Sequence, residues 1–429
     1  MKSAATESAA RAPNALRLAD AAHALSRVLT FTYPADAVLS RYFRERHVLG
    51  QQDRAFVAEA VFGVLRRKLL FDHVAPQATP RQLVLLWLAR IGGFSGRELT
   101  ALCTAEESQW LNATRAQSSA EVPLSVAADL PQWIVDRLLP RHDADFIRAL
   151  GRALQDPAPL DLRVNTIRAS RESVLAGLAA SGIEAVPMPW SPVGIRVRGK
   201  PSINRHPLFT GGAVEVQDEG SQLLGYLVAP RRTDLVVDFC AGAGGKTLML
   251  GALMHSQGRV YAFDVSPKRL DSLKPRLKRS GLSNIHPQAI AHENDTRVKR
   301  LAGKIDRVLV DAPCSGLGTL RRNPDLKFRQ SPQAVAELVV KQAAILKAAA
   351  RLVKPGGRLV YATCSLLAEE NQDIISAFFS AHAEFRPLDC GELLRRHDIA
   401  IDCAEQLQLW PHIHNTDGFF AAAMERAAG

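Results

Sequence analysis

The sequence has 429 residues, of which 47% are hydrophobic and 23% are charged, a composition typical of a globular protein with two or three domains. Lys and Arg outnumber Asp and Glu by 54 to 43, and the resulting net charge of +11 favours a polyanionic partner such as nucleic acid. Because the longest apolar run, residues 83–89, is too short to cross a bilayer and residues 1–13 lack an apolar secretion signal, we expect a cytoplasmic protein without a membrane anchor.

Helical patterns dominate the first third of the chain. Residues 1–14 are rich in Ala and Ser and are predicted to form a mobile tail. The apolar residues of 53–68 fall on one helical face, and residues 81–90 are apolar enough for a buried helix. We therefore predict an all-α domain over residues 15–143.

Short strands and then a strand–helix alternation follow. Residues 144–218 are predicted to form a small α+β module, with strands at 160–164, 183–186 and 194–197 and a helix at 171–181. In residues 219–429, strands are predicted at 235–239, 260–264, 307–310 and 358–363, and helices at 246–254, 267–280 and 332–353. This alternation is typical of a Rossmann-like α/β domain with a parallel doubly wound sheet, which binds ligands at the carboxyl ends of its strands.

A glycine-rich segment, DFCAGAGGKT at residues 238–247, joins the first of these strands to a helix. A phosphate-binding P-loop is excluded because Cys240 stands where that motif needs its first glycine. A dinucleotide-binding GxGxxG motif is excluded because Thr247 stands where that motif needs its last glycine. The remaining interpretation is an S-adenosylmethionine (SAM) loop, which needs an acid at the end of this strand and another at the end of the next. Asp238 and Asp264 meet both conditions, and Asp264 could accept hydrogen bonds from both ribose hydroxyls.

Two cysteine-containing motifs follow later strands. DAPCSGLG begins at Asp311 and contains Cys314, and YATCS contains Cys364. Since the carboxyl ends of neighbouring parallel strands meet at one edge of a sheet, these three residues are expected to gather beside the glycine-rich loop.

The remaining cysteines and two nearby histidines are not predicted to bind a metal. Cys103, Cys390 and Cys403 form no CxxC pair and are interpreted as buried free thiols. His412 and His414 have no Cys or acidic partner at ligand spacing, so no metal site is predicted.

The motifs DFCAGAGGKT, DAPCSG, YATCS and TDGFF together resemble the Sun/nucleolar-protein family of RNA (cytosine-5) methyltransferases. The similarity covers about residues 161–426 and includes LRVNT and VEVQDEGSQL, which resemble the RNA-binding module that precedes the family's catalytic domain. The N-terminal region is similar, more weakly, to the NusB-like RNA-binding domain of bacterial members that modify small-subunit ribosomal RNA. The resemblance implies a class I methyltransferase domain over residues 219–429, SAM as cofactor, and methylation of C5 of a cytosine in ribosomal RNA.

The resemblance also implies different tasks for the two cysteines. A thiolate that adds to C6 of cytosine makes C5 nucleophilic enough to take a methyl group, and chemistry alone would let either thiol do this. In the family, the TCS cysteine is the nucleophile, here Cys364, and the DAPC cysteine assists release of the methylated RNA, here Cys314.

The remaining site residues follow from the same resemblance. Asp311 and Lys246 are assigned to catalysis as well as to the cofactor. The family loop is commonly CAAPGGKT, so this chain departs from it at Gly242 and Ala243. Asp295 best matches the family's adenine-side aspartate, with Glu293 as the alternative. The predicted SAM-binding residues are Cys240, Ala241, Gly242, Ala243, Gly244, Gly245, Lys246, Asp264, Asp295 and Asp311.

A basic strip follows the DAPCSG motif and is the predicted RNA contact. Positive charges with an aromatic residue suit phosphate contacts and stacking on an unpaired base, although a solvated surface would have the same composition. The strip comprises Arg321, Arg322, Lys327, Phe328 and Arg329. We expect a monomer that acts on ribosomal RNA; the alternatives are a tRNA methyltransferase and a non-catalytic RNA-binding assembly factor.

Overall fold

The computed structural model describes residues 13–116, 122–199 and 201–428. Apart from its last two residues, the predicted mobile tail at 1–14 lies outside the described part of the chain. The chain divides into two compact units, one made of residues 1–157 with 319–331, the other of residues 158–318 with 332–429. Within the described ranges, no helix is long and apolar enough to span a membrane.

The first unit is helical, as its sequence predicts. The helix Pro80–Arg90 begins at a capping box in which Thr79 and Gln82 exchange side-chain and backbone bonds, with Pro80 in the first turn. It is buried all round from Leu83 to Ala89, and these seven residues all belong to the unit's core. The helices before residue 157 are α1 Ala15–Val28, α2 Ala35–Glu45, α3 Gln51–Arg66, α4 Lys68–Val74, α5 Pro80–Arg90, α6 Gly96–Thr100, α7 Ala105–Ala116, α8 Leu124–Ala128, α9 Gln132–Leu138 and α10 Ala144–Leu154.

A small antiparallel sheet opens the second unit. Its strand order is β2-β3-β1-β4, and its core packs Leu162, Val174, Ile195 and Val214 together. The three predicted strands and the helix between them are present. The elements are β1 Leu160–Val164, α11 Arg171–Ala180, β2 Ala185–Pro187, β3 Gly194–Val197, α12 Pro207–Thr210 and β4 Val214–Val216, with a 3₁₀ turn at Ile203–Arg205.

The rest of the chain supplies a larger sheet with helices between its strands. The elements are α13 Glu219–Val228, β5 Leu235–Asp238, α14 Gly245–Leu253, β6 Arg259–Asp264, α15 Pro267–Ser280, β7 Ile285–Ala289, α16 Thr296–Lys299, β8 Ile305–Asp311, α17 Leu326–Arg329, α18 Pro332–Ala350, β9 Val353–Thr363, α19 Gln372–Ala381, β10 Phe385–Leu388, α20 Cys390–Arg395, β11 Gln406–Leu409, α21 Pro411–His414 and β12 Phe419–Arg426. Single 3₁₀ turns lie at Leu317–Thr319 and Ala368–Glu370, and α17 belongs to the helical unit.

Strand order in the large sheet brings the sequence motifs together. The order is β10-β12-β9-β8-β5-β6-β7, with β11 paired to β12. β5 to β9 run parallel, and β12 is antiparallel to β9. Adjacent residues such as Val236 and Val237 are buried in separate cores on the two faces of the sheet. Because β8 lies between β5 and β9, the three strand ends that carry the motifs are neighbours, and the predicted Rossmann-like fold is confirmed.

The predicted boundary between the last long helix and the strand after it is wrong. The helix expected to reach residue 353 ends at Ala350, and the strand expected at 358–363 begins at Val353, so Pro355, Gly356 and Gly357 lie inside β9. There Gly356 adopts a φ of 71°, and the pairing of β8 with β9 shifts register between Ile305 and Arg307. The Pro-Gly-Gly sequence therefore forms an irregular start to a strand rather than a helix end.

Candidate active site

The glycine-rich loop is held by backbone conformation and by Asp264. Gly242 and Gly244 have φ values of 56° and 82°, in the left-handed region that glycine adopts without strain. A Cβ on Gly244 would lie 2.1 Å from a Leu273 side-chain carbon, so the close approach needs glycine. The Asp264 carboxylate accepts hydrogen bonds from the N–H groups of Gly242 (2.8 Å) and Ser266 (2.7 Å). Its two oxygens keep further lone pairs for a ligand.

Two arginines bind the carbonyl groups of the same loop. Arg163 donates to the Gly245 carbonyl at 2.7 Å, and Arg276 donates to the Ala243 carbonyl at 2.7 Å. Arg276 also donates to the buried Glu215 carboxylate of β4 at 2.9 and 3.0 Å. Burial lowers the pKa of Arg163 to about 10, so it is still a cation at neutral pH. These contacts restrain a loop that has Ala243 where the resembling family has proline.

Asp238 is buried at the end of β5 with one oxygen unsatisfied. Its Oδ2 accepts a hydrogen bond from Thr247 Oγ1 at 2.6 Å. Oδ1 has no hydrogen-bond partner among the described residues. Burial raises the pKa of Asp238 to about 7, with the Thr247 bond acting in the opposite direction. An orphaned buried carboxylate oxygen beside a glycine loop suits a cationic ligand group, such as the ammonium of an amino acid.

Lys246 and Asp311 form an ion pair across the end of the sheet. Their Nζ–Oδ2 distance is 2.7 Å, and the ammonium lies 5.6 Å from the centre of the Phe419 ring. Burial lowers the pKa of Lys246, but the Asp311 carboxylate more than offsets this and the net pKa is raised. Lys246 is therefore charged at neutral pH and is oriented by Asp311.

The two cysteines of the motifs meet at the ends of β8 and β9. Their Sγ atoms are 3.4 Å apart, within the range of an S–H···S hydrogen bond. The hydrogen bond to Cys364, together with burial, raises the pKa of Cys314 well above its ordinary value. Cys314 is therefore a neutral thiol at physiological pH and can donate its S–H to the sulfur of Cys364.

The TDGFF motif closes the loop that follows Cys314. Gly318 N–H donates to the Cys364 carbonyl at 2.8 Å, and Gly418 N–H donates to the Gly318 carbonyl at 2.8 Å. A Cβ on Gly318 would lie 2.1 Å from the Gly418 oxygen, so the approach of the two backbones requires glycine. The fourth motif thus supports the cysteine loops.

The adenine-side residue stays a prediction. Asp295 caps α16, and its carboxylate accepts hydrogen bonds from the N–H groups of Ala291 and Arg297, which lower its pKa. Glu293 accepts a bond from the Asn294 side chain at 2.9 Å. Both carboxylates have local partners, and neither is placed against the glycine-rich loop by a hydrogen bond. Among the described residues, no three His, Cys, Asp or Glu side chains group as a metal site.

The basic strip needs correction. Lys327 is only 4% exposed, and it forms a 2.7 Å ion pair with Asp129 within the helical unit. Arg321 is 6% exposed, and its carbonyl accepts a bond from Arg66. The ring of Phe328 packs on Phe31 with their centres 4.9 Å apart. Because Lys327 and Arg321 are buried, they cannot contact a phosphate, and their assignment to RNA contact is wrong. Arg322, Phe328 and Arg329 are partly exposed, and their assignment stays a prediction.

The Lys327–Asp129 pair should stabilise the helical unit. Replacing Lys327 with Met leaves the Asp129 carboxylate buried without its cation, which should cost about 3–5 kcal/mol in the free energy of unfolding. Urea unfolding measures this, with the exposed Lys341→Met as the matched control. The double variant Lys327→Met/Asp129→Asn should recover part of the loss, and equal stabilities of Lys327→Met and Lys341→Met would contradict the assignment.

Comparison with known proteins shows which family the chain belongs to. The family model "16S rRNA methyltransferase RsmB/F" matches residues 225–425, and the RsmF/B-like ferredoxin-like domain model matches residues 130–204. "Probable ribosomal RNA small subunit methyltransferase B" of Synechocystis sp. is 31% identical over 420 residues, covering 89% of this chain and 93% of the relative. This chain belongs to the RsmB/F family. The predicted Sun-family membership is thereby confirmed, and so is the prediction of a SAM-dependent RNA methyltransferase rather than a non-catalytic assembly factor.

Solved structures show the same fold for this RsmB/F-family enzyme. The crystal structure of PH0851 superposes with a TM-score of 0.78 at 25% identity and covers 96% of this chain and 99% of its own. NSun6 from Pyrococcus horikoshii with SFG superposes with a TM-score of 0.61 at 20% identity, covering 70% of this chain and 99% of its own.

Proposed function

We propose that this enzyme methylates C5 of one cytosine in small-subunit ribosomal RNA through a covalent bond between Cys364 Sγ and C6. The observation that carries the proposal is the pair of thiols 3.4 Å apart at the ends of β8 and β9, beside the glycine-rich loop. Two thiols with unequal tasks suit a reaction that must both form and release an adduct.

The proposed reaction begins with attack of a thiolate on the cytosine ring. The Cys364 thiolate adds to C6, and the electron pair displaced from the C5–C6 double bond makes C5 a nucleophile. Bound SAM would supply the methyl group, with S-adenosylhomocysteine as the leaving group. Loss of the C5 proton to a base then restores the double bond as the C6–S bond breaks and Cys364 leaves as a thiolate. Because Cys314 keeps its proton at neutral pH, its S–H can stabilise the thiolate of Cys364 before attack and on departure.

The glycine-rich loop is the proposed SAM site. The unsatisfied Oδ1 of Asp238 suits the ammonium group of SAM, and the remaining lone pairs of Asp264 suit the ribose hydroxyls. SFG, bound in the NSun6 structure, is a SAM analogue. The proposed cofactor contacts are the loop residues 240–246 with Asp264, Asp311 and Asp295, the last in competition with Glu293.

Ribosomal RNA is the proposed substrate, and the net charge of +11 favours such a polyanion. The relative from Synechocystis sp. carries a small-subunit assignment in its name, which supports this choice over tRNA. Arg322, Phe328 and Arg329 are the residues of the strip still proposed to contact RNA. We also propose that the enzyme acts as a cytoplasmic monomer.

Bisulfite sequencing tests the substrate. Total RNA from a strain that lacks the gene should lose one 5-methylcytosine in small-subunit ribosomal RNA, and the purified enzyme with SAM should restore it. The matched control is the same enzyme with tRNA from that strain. Loss of a methyl group from tRNA alone would overturn the ribosomal assignment.

A further inference from the structure

The two cysteines lie on separate loops, yet their sulfur atoms are in contact. Cys314 follows β8 and Cys364 follows β9, and the residue after each cysteine is a buried serine. The hydroxyls of Ser315 and Ser365 are 3.1 Å apart. Glu370 lies within hydrogen-bonding distance of both hydroxyls. Its side chain is fully buried and takes no part in the reaction as proposed above.

Glu370 binds both serines through its carboxylate. One oxygen accepts from Ser315 N–H at 2.8 Å and from the Gln342 amide at 2.9 Å. The other accepts from Ser315 Oγ–H at 2.5 Å and from Ser365 Oγ–H. Four neutral donors thus fill the acceptor positions of one carboxylate. A glutamine there would keep one acceptor oxygen and turn an NH2 group toward the two serine hydroxyls, which would have to accept hydrogen bonds instead of donating them.

The contacts extend to both sides of each cysteine. The Gln342 amide that binds Glu370 also donates to the Pro313 carbonyl at 2.9 Å, so Cys314 is held through the residues before and after it. On the other loop, Asn371, which follows Glu370 in sequence, donates its amide to the Ser365 carbonyl at 3.1 Å and accepts a hydrogen bond from Thr363 Oγ–H at 2.5 Å. Glu370, together with Gln342 and Asn371, therefore restrains the backbone around both sulfur atoms.

We propose that Glu370 is a positioning residue that fixes Cys314 and Cys364 relative to each other and so sets the distance between their sulfur atoms. Its meaning for catalysis rests on the proposed function, because release of the RNA adduct needs the two thiols in contact. The distance between the two sulfur atoms can be tested on the protein without RNA or SAM. Glu370 acts through the serines, since both of its oxygens are occupied by their donors and by Gln342.

Thiol cross-linking tests the geometry directly. Diamide oxidises two thiols to one disulfide and is itself reduced to the hydrazine, and the bond requires the sulfur atoms to close from 3.4 Å to about 2.05 Å. Mass spectrometry of tryptic peptides should show rapid Cys314–Cys364 linkage in the wild type and linkage slower by about tenfold or more in Glu370→Gln. The exposed Glu405→Gln is the matched control and should cross-link at the wild-type rate.

Turnover supplies the second readout. Glu370→Gln should lower kcat by about tenfold or more and leave more RNA bound as a covalent adduct, while KM for SAM stays unchanged. If Glu370→Gln fails to fold, Ser315→Ala and Ser365→Ala each remove a donor and should slow cross-linking in smaller steps. Cross-linking at the wild-type rate in Glu370→Gln, or in both serine variants, would overturn the proposal. Slowed cross-linking in an enzyme that methylates no cytosine would refute the proposed function and leave the positioning role intact.

Discussion

Replacing Cys364 with Ala should abolish methylation and every covalent RNA–protein complex, whereas Cys314→Ala should leave a complex that accumulates. Removing a nucleophile costs about four orders of magnitude or more in turnover. Removing its partner takes away the neighbouring S–H, 3.4 Å away, that stabilises the departing thiolate. Denaturing electrophoresis of enzyme incubated with RNA and SAM would show the complex as a band of lower mobility, and transfer of tritiated methyl groups would report turnover.

The same experiment separates the two possible assignments of the thiols. If Cys314→Ala removes the complex while Cys364→Ala retains turnover, Cys314 is the nucleophile and the assignment is reversed. Cys103→Ala, in the helical unit, is the matched control for loss of a half-buried thiol and should behave as the wild type. An accumulated complex in Cys314→Ala that contains Cys364 in its cross-linked peptide would establish which sulfur carries the RNA.

Replacing Asp264 with Ala should raise the Kd for SAM by about 100-fold or more, because hydrogen bonds to a charged group contribute roughly 1.5–3 kcal/mol each. The substitution removes the acceptor of the Gly242 and Ser266 N–H groups and, with it, the proposed acceptor of the ribose hydroxyls. Calorimetric titration with SAM measures the loss. Asp271→Ala, which removes an exposed carboxylate from α15, should bind SAM as the wild type does. Equal affinities of the two variants would contradict the role of Asp264.

The central strands of the large sheet could be predicted because their apolar runs are distinctive, whereas the outer strands could not. β7 has the sequence IHPQA, in which a proline and polar residues interrupt any strand pattern. β12 has the sequence FFAAAMER, whose alanines favour a helix. It is a strand because six of its residues pair with β9, and such tertiary pairing overrides local propensity.

The same contrast holds for the site. The meeting of Cys314 and Cys364 could be predicted because neighbouring parallel strands end at one edge of the sheet. The burial of Glu370 and Lys327 could not be predicted, because charged side chains are mostly exposed and a sequence pattern does not show which of them are buried. The partner of Lys327 lies 198 residues away in the sequence. Glu370 is hydrogen-bonded to serines for which the sequence predicts no role.

The segment of residues 319–331, which belongs to the helical unit although it follows the Cys314 loop, affects the order in which the protein can be completed. Translation delivers Asp129 198 residues before its cationic partner Lys327. At about 5–20 residues per second, the ribosome needs roughly 10–40 s to cover that distance. During this time the N-terminal helices contain the Asp129 carboxylate, but the Lys327 ammonium that pairs with it in the folded protein has not yet been synthesised. The first unit to emerge from the ribosome therefore reaches its final stability only after the loop with Cys314 has been made.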